Sequence, residues 1–167
     1  MATFRLPILG AQTVPDDGPF FAPINTQITA GTVDGSELAL VLDCDPASDL
    51  GCRGGFHVPK NYVGSPVLVI RGIVDGTVGT EDIHVAMTLL GRADNEAYDT
   101  AHEAEDTANF QSNAYADEDV FEETIALTVT LAVDDDVNFH FYVDSSGGTP
   151  FTGNILVTGL FFQYSDA

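Results

Sequence analysis

The chain is poor in the residues that mark several large classes of protein. Its 167 residues include no Trp, two Cys and five Lys and Arg against 26 Asp and Glu, which gives a formal net charge of −21. A surface of that sign repels phosphate backbones and anionic lipid, so we expect no nucleic-acid and no membrane partner. Apolar runs such as Pro66–Ile70 are far too short to cross a bilayer. The N-terminus lacks the basic start, long apolar centre and cleavage site of a signal peptide, so Sec-type export is not expected.

The remaining composition is typical of one domain with a hydrophobic core. Hydrophobic residues make up 44% of the chain, and its mean hydropathy is +0.10. Segments rich in Val, Ile, Thr, Phe and Tyr recur between clusters of Gly, Asp, Asn and Pro, the pattern of short β-strands joined by turns. We predict strands at Thr3–Leu9, Phe20–Ile28, Ser36–Asp43, Gly55–Pro59, Pro66–Val74, Asp82–Leu90, Thr124–Val133, Asn138–Asp144 and Asn154–Tyr164.

The strand spacing predicts an all-β fold, a single antiparallel β-sandwich of jelly-roll type that spans residues 1–167. Two segments depart from the strand pattern. Residues 1–23 carry four prolines and are expected to form an extended N-terminal segment. Residues 94–123 form an acidic loop or insert, and its part around Tyr98–Phe110 is expected to be a short helix or an extended strand that covers a sheet edge.

Two loops raise the question of cross-links and metal ions. Cys44 and Cys52 bracket a loop short enough to fold back, and the sequence leaves open whether they form a disulfide or stay thiols. Asp43, Asp45 and Asp49 share the same region and are weak candidates for calcium ligands. The spacing does not match an EF-hand, and Asp is common in turns, so no metal and no cofactor are predicted.

The stretch GGFHVPKNYVGSPVLVIRGIV concentrates charge and hydrogen-bonding groups, including His57, Lys60, Tyr62 and Arg71. Catalysis would need a nucleophile activated by a base, and neither a G-x-S-x-G elbow nor an H-E-x-x-H motif is present. We therefore interpret the stretch as a strand, a turn and a core strand, with Arg71 paired to a carboxylate at the strand's end. No enzymatic activity is predicted.

Three blocks, FRLPILGAQTVPDDGPFFAP, FHVPKNYVGSPVLVIRG and ILVTGLFFQYSDA, resemble small β-sandwich virion proteins of tailed bacteriophages. This resemblance implies a capsid decoration (cement) protein, made in the host cytoplasm and located on the capsid exterior. Its partners would be the major capsid protein and other copies of itself, in a trimer that clamps neighbouring capsid subunits. The N-terminal segment through Pro23 is expected to lie across a partner.

Candidate contact residues follow from that interpretation. Lys60 and Tyr62 are basic and aromatic residues of a turn on an acidic protein, and Phe161-Phe162 places one ring inward and one outward on a regular strand. An outward ring is available to a neighbouring subunit.

Two alternatives remain open from the sequence. One is a tail, turret or fibre-associated virion protein, which would use the same fold at another place on the particle. The other is a carbohydrate-binding β-sandwich module. Lacking Trp, such a module would stack sugars on tyrosines, for which the candidates are Tyr62, Tyr98, Tyr115 and Tyr142.

Overall fold

The described part of the protein folds almost entirely into strands. The computed structural model describes residues 3–9, 20–24, 28–33, 36–46, 50–94, 96, 105–144 and 148–166, with the backbone alone described at 6–9, 20–24, 28–33 and 36–43. The strands are β1 (Thr3–Leu9), β2 (Phe20–Ile24), β3 (Ile28–Val33), β4 (Ser36–Cys44), β5 (Leu50–His57), β6 (Tyr62–Asp75), β7 (Asp82–Arg92), β8 (Asp106–Gln111), β9 (Val120–Ala126), β10 (Asp136–Val143) and β11 (Asn154–Asp166). Among these residues the only helical element is a 3₁₀ turn at Ser112–Ala114, and no helix is long and apolar enough to span a membrane.

Two antiparallel sheets form a sandwich, which confirms the predicted fold class. One sheet has the order β3-β4-β11-β6-β9, and β1 pairs with the C-terminal half of β11 on the side where β4 pairs with the N-terminal half. The other sheet has the order β2-β5-β10-β7-β8. Apart from β3–β4 and β7–β8, every consecutive pair of strands lies in different sheets, as in a jelly roll. We call these the six-stranded and the five-stranded sheet.

Alternation along the strands builds the core between the sheets. In β10 the buried side chains are Val137, Phe139, Phe141 and Val143, and every intervening side chain points away from the core. Because each buried aliphatic or aromatic side chain contributes roughly 1.5–3 kcal/mol on removal from water, this repeated alternation is the main source of stability.

The structure corrects the boundaries of four predicted strands by more than two residues. The strand predicted from Pro66 begins at Tyr62, so Tyr62 lies at the start of β6 rather than in the turn. The predicted strand Phe20–Ile28 is divided between β2, in the five-stranded sheet, and the start of β3, in the six-stranded sheet. The strand predicted from Gly55 begins at Leu50. Its first half was missed because glycines weaken the sequence pattern of a strand. The strand predicted at Thr124–Val133 ends at Ala126, where the chain leaves the six-stranded sheet.

The two segments that departed from the strand pattern are partly built into the sandwich. Of the N-terminal segment, residues 3–9 form β1 and residues 20–24 form β2, so both are used within this chain rather than laid across a partner. Of the acidic segment, residues 106–111 form β8, the edge strand beside β7. The expectation of an extended strand that covers an edge is therefore confirmed there, whereas Tyr98 lies outside the described residues.

Candidate functional site

The four predicted contact residues lie in different settings. Lys60 is exposed in the turn before β6, and Tyr62 is half-buried with its ring 6.1 Å from that of Phe162. Burial raises the pKa of Tyr62. Phe162 is fully buried, so its ring is not available to a partner and this candidate is wrong, because β11 turns it into the core. Phe161 points outward as predicted for one of the pair, and the Arg71 guanidinium lies 5.4 Å from its ring centre.

Arg71 pairs with a carboxylate, as the sequence predicted. Its Nε donates to Glu122 Oε2 at 2.6 Å, and Arg5 donates to both oxygens of the same carboxylate. Hydrogen bonds from the two guanidinium groups lower the pKa of Glu122 to about 2. Arg5 also donates to Gln163, so the network ties β1, β6, β9 and β11 together on the outer face of the six-stranded sheet.

The cysteine and aspartate candidates do not form a described site. Cys44 and Cys52 are both buried and are not joined by a disulfide, and burial raises the pKa of the Cys52 thiol to about 12. The side chains of Asp43 and Asp49 lie outside the described residues. Within the described part of the chain, no group of three or more His, Cys, Asp or Glu side chains is placed to hold a metal ion.

The outer face of the five-stranded sheet carries a set of polar and aromatic side chains that the core does not use. Strand β10 lies at its centre, paired with β5 on one side and β7 on the other. We call this surface the β10 face and define it by Arg53 on β5, His84 and Thr88 on β7, and Asn138, His140 and Tyr142 on β10.

The pairing register sets the distances on this face. His140 stands directly between Arg53 and Thr88, so these three side chains rise from one row across the sheet. Neighbouring strands are about 4.8 Å apart, and side chains two positions apart along a strand are about 7 Å apart. Asn138 and Tyr142 therefore stand one step to either side of His140. The resulting patch is about 14 Å long, a suitable size for an extended ligand.

Tyr142 is held in place by its neighbours. Its ring centre lies 4.8 Å from that of His140, with 31° between the ring planes. Its hydroxyl donates to the carboxylate of Glu105. The residues opposite it are small, Gly51 on β5 and Ala86 on β7, and an added Cβ at Gly51 would stand 2.7 Å from the Tyr142 Cβ. Glycine is therefore required beside Tyr142.

The polar groups of this face can hydrogen-bond a ligand. Arg53 is exposed and presents a planar set of donors, while Asn138 supplies both a donor and an acceptor. His84 Nε2 is buried and has no hydrogen-bond partner among the described residues. At the end of the face, His57 Nδ1 lies 2.7 Å from Asp136 Oδ1, but both side chains are about two-thirds exposed. In the described part of the chain no hydroxyl or thiol hydrogen-bonds to His57, so this pair has no nucleophile to activate.

Comparisons with known proteins find similarity at the level of the fold. No protein-family model matches the chain, and no curated protein matches it. A solved structure described as a carbohydrate-binding module from the β-sandwich superfamily is 11% identical with a TM-score of 0.45, and the match covers 89% of this chain and 58% of that one. The K1 cleaved adhesin domain of Lys-gingipain from Porphyromonas gingivalis W83 is 12% identical with a TM-score of 0.41, covering 99% of both chains. The family 11 carbohydrate-binding module of Clostridium thermocellum is 10% identical with a TM-score of 0.40, covering 95% of this chain and 94% of that one.

Sequence reasoning identified one member of the β10 face and missed the rest. Tyr142 was among the four candidate tyrosines. Tyr115 is placed elsewhere, packed against Phe110 and Phe121, with its hydroxyl donating to Glu123. The alternation in β10 was a usable signal, since it assigns the intervening polar residues to the outer face. Which residues of β5 and β7 join them depends on the register, which no local pattern encodes.

Proposed function

We propose that the chain is a non-catalytic binding domain that takes a carbohydrate on its β10 face. The observation that carries this proposal is the placement of an oriented, half-buried tyrosine ring beside polar side chains on the outer sheet face. Because Tyr142 is fixed by His140 and Glu105, little conformational entropy is lost when a ligand stacks on it.

Sugar chemistry fits such a surface. One face of a pyranose ring carries C–H groups with partial positive charge, which are attracted to the negative face of an aromatic ring. The equatorial hydroxyls lie around the edge of the sugar ring, where side chains with planar donors and acceptors can reach them. Asn138 stands two side-chain rows along β10 from the tyrosine and provides these groups to an oligosaccharide that extends along the strand.

Glycan-array screening followed by calorimetric titration tests the proposal. Tyr142→Ala is expected to weaken binding of the oligosaccharide found in the screen by roughly tenfold, about 1.4 kcal/mol, because the stacking surface is lost. Phe161→Ala removes an outward aromatic ring from the opposite sheet and should leave the affinity unchanged. Equal losses in both variants at unchanged thermal stability would show that the ligand does not lie on the β10 face. A screen with no saturable binder would refute the proposed function.

Capsid decoration is the second candidate, supported by the resemblance of sequence blocks to virion proteins. The structural feature that favours it is the exposed Lys60, which lies close in sequence to Val63, itself 51% exposed. A basic and an apolar side chain together suit a contact with an acidic neighbouring subunit. Counting the protein in purified particles tests this role. Hundreds of copies would support a shell component, a few dozen or fewer would indicate the tail or a vertex, and none would refute a virion role.

A further inference from the structure

We propose that the ligand of the β10 face carries an anionic group, a carboxylate or a sulfate, which binds to Arg53. This inference rests on the proposed carbohydrate function and narrows it from sugars in general to acidic sugars. It is argued from the distribution of the chain's few cations.

The cations of this chain are nearly all engaged within the protein or distant from the face. Arg5 and Arg71 share the carboxylate of Glu122 on the opposite sheet. Arg92 is engaged in an interaction within the protein, and Lys60 lies in a turn between β5 and β6. Arg53 is exposed on the β10 face and has no hydrogen bond or ion pair among the described residues. In a chain with 26 acidic residues, an exposed arginine that forms no ion pair among the described residues is available for an external anion.

The acidic groups of the same face are committed elsewhere. Asp136 pairs with His57, which stands opposite it on β5. Glu105 accepts the hydroxyl proton of Tyr142. Asp144 lies just beyond the end of β10, two side-chain rows from His140 and so about 13 Å away. Asp136 and Glu105 are therefore engaged with other side chains, and Asp144 is too far away to pair with Arg53.

The space around Arg53 also suits an approaching ligand. The residues two positions before and after it on β5 are Gly51 and Gly55, which have no side chains, so no neighbour on its own strand blocks the guanidinium. On β10 its opposite residue is His140, whose ring lies beside that of Tyr142 at a tilted angle. A sugar lying on the tyrosine would thus present a ring substituent to a planar set of donors that matches a carboxylate or sulfate in two parallel hydrogen bonds.

Matched acidic and neutral oligosaccharides test this inference by calorimetric titration. The probes are tetrasaccharides of galacturonic, mannuronic, guluronic and glucuronic acid, their methyl esters, the corresponding neutral oligosaccharides and a sulfated galactan. We expect at least one acidic probe to bind ten times more tightly than its neutral counterpart. Arg53→Gln should remove that difference, so that the acidic probe binds no more tightly than its neutral counterpart. Arg71→Gln, which alters a paired arginine on the other sheet, should preserve the difference.

The outcomes separate this inference from the proposed function. Binding of neutral probes with no preference for any acidic one would overturn the role of Arg53 and leave carbohydrate binding intact. An equal loss for acidic and neutral probes in Arg53→Gln would also overturn it, because the arginine would then act as a general hydrogen-bond donor. Preference for uronates identifies the anion as a carboxylate, and preference for the galactan alone identifies it as a sulfate. If no probe binds at all, both proposals fail together.

Discussion

Asp106 offers the sharpest test of how the acidic segment is fastened to the sandwich. Its side chain is 9% exposed, and it accepts hydrogen bonds from the backbone N–H and the hydroxyl of Thr128, each at 2.8 Å. Thr128 lies just past the end of β9, where the backbone has left the regular ladder of the six-stranded sheet and its N–H needs another acceptor. The carboxylate therefore joins edge strand β8 to the segment that crosses between the sheets.

Replacing Asp106 by Ala removes both bonds and leaves the N–H of Thr128 without an acceptor. Charge-assisted hydrogen bonds contribute about 1.5–3 kcal/mol each, and their losses overlap, so we expect about 3 kcal/mol of destabilisation. For a domain of this size that lowers Tm by roughly 6–12 °C. Asp106→Asn should lose about half as much, because the amide oxygen still accepts from the N–H.

Urea unfolding and thermal scans of Asp106→Ala and Asp106→Asn measure these losses. Thr107→Ala on the same strand is the matched control, since its exposed side chain should change stability by no more than about 0.5 kcal/mol. A loss below 1 kcal/mol in Asp106→Ala, equal to that of the control, would refute the reasoning.

The remaining predictions concern an ion-pair network, the core and the thiols. Glu122→Gln should cost less than about 1 kcal/mol at pH 7, because the pairs are partly exposed. The pKa of Glu122 is lowered to about 2 from 4.5, so the pairing stabilises the fold above about pH 4.5 and this stabilisation is lost as the pH falls through 2. Urea titrations should therefore find that the difference in unfolding free energy between Glu122→Gln and the parent disappears near pH 2. A difference that does not change with pH would contradict this. Phe162→Ala should cost about 3–5 kcal/mol and Phe161→Ala less than half of that, so equal unfolding free energies would contradict their inward and outward placement. Burial raises the pKa of Cys52 to about 12, and Cys44 is equally buried. An aromatic disulfide reagent should therefore leave both thiols unlabelled in the native protein and label both in denaturant. Rapid labelling of the native protein would contradict this burial.

The strands were predictable where one face of the strand is buried, because apolar and polar residues then alternate along the sequence. Strand β1 was predicted with its observed bounds, and β10 and β11 to within two residues. Strand β8 shows little of this alternation, because its acidic and amide residues are typical of a solvated loop and its buried Asp106 is polar. The sequence beyond Ala126 kept the alternation of a strand, and only tertiary pairing decides that the ladder stops there.

The candidate site was less predictable than the fold. Tyr142 and its polar neighbours on β10 are visible as one face of a strand, but the contribution of Arg53 depends on its position opposite His140. That register arises from pairing between strands more than 80 residues apart in the chain, as the numbers of the two residues show. The stretch that includes Lys60 drew attention through its charge, whereas the charge that matters for the proposed ligand lies seven positions earlier, on β5.

An acidic ligand is compatible with a protein of net charge −21, because the two effects act over different distances. At physiological ionic strength the Debye length is about 8 Å, so acidic groups elsewhere on the surface act on the ligand only weakly. The contact with Arg53 is made at hydrogen-bond distance, where screening is least effective and the bidentate geometry adds to the Coulomb attraction. The acids of the β10 face are paired with His57 and Tyr142, which keeps them from facing the ligand unpartnered. The overall charge therefore disfavours non-specific binding of polyanions, while the proposed contact with Arg53 would select an anionic group in one position and orientation.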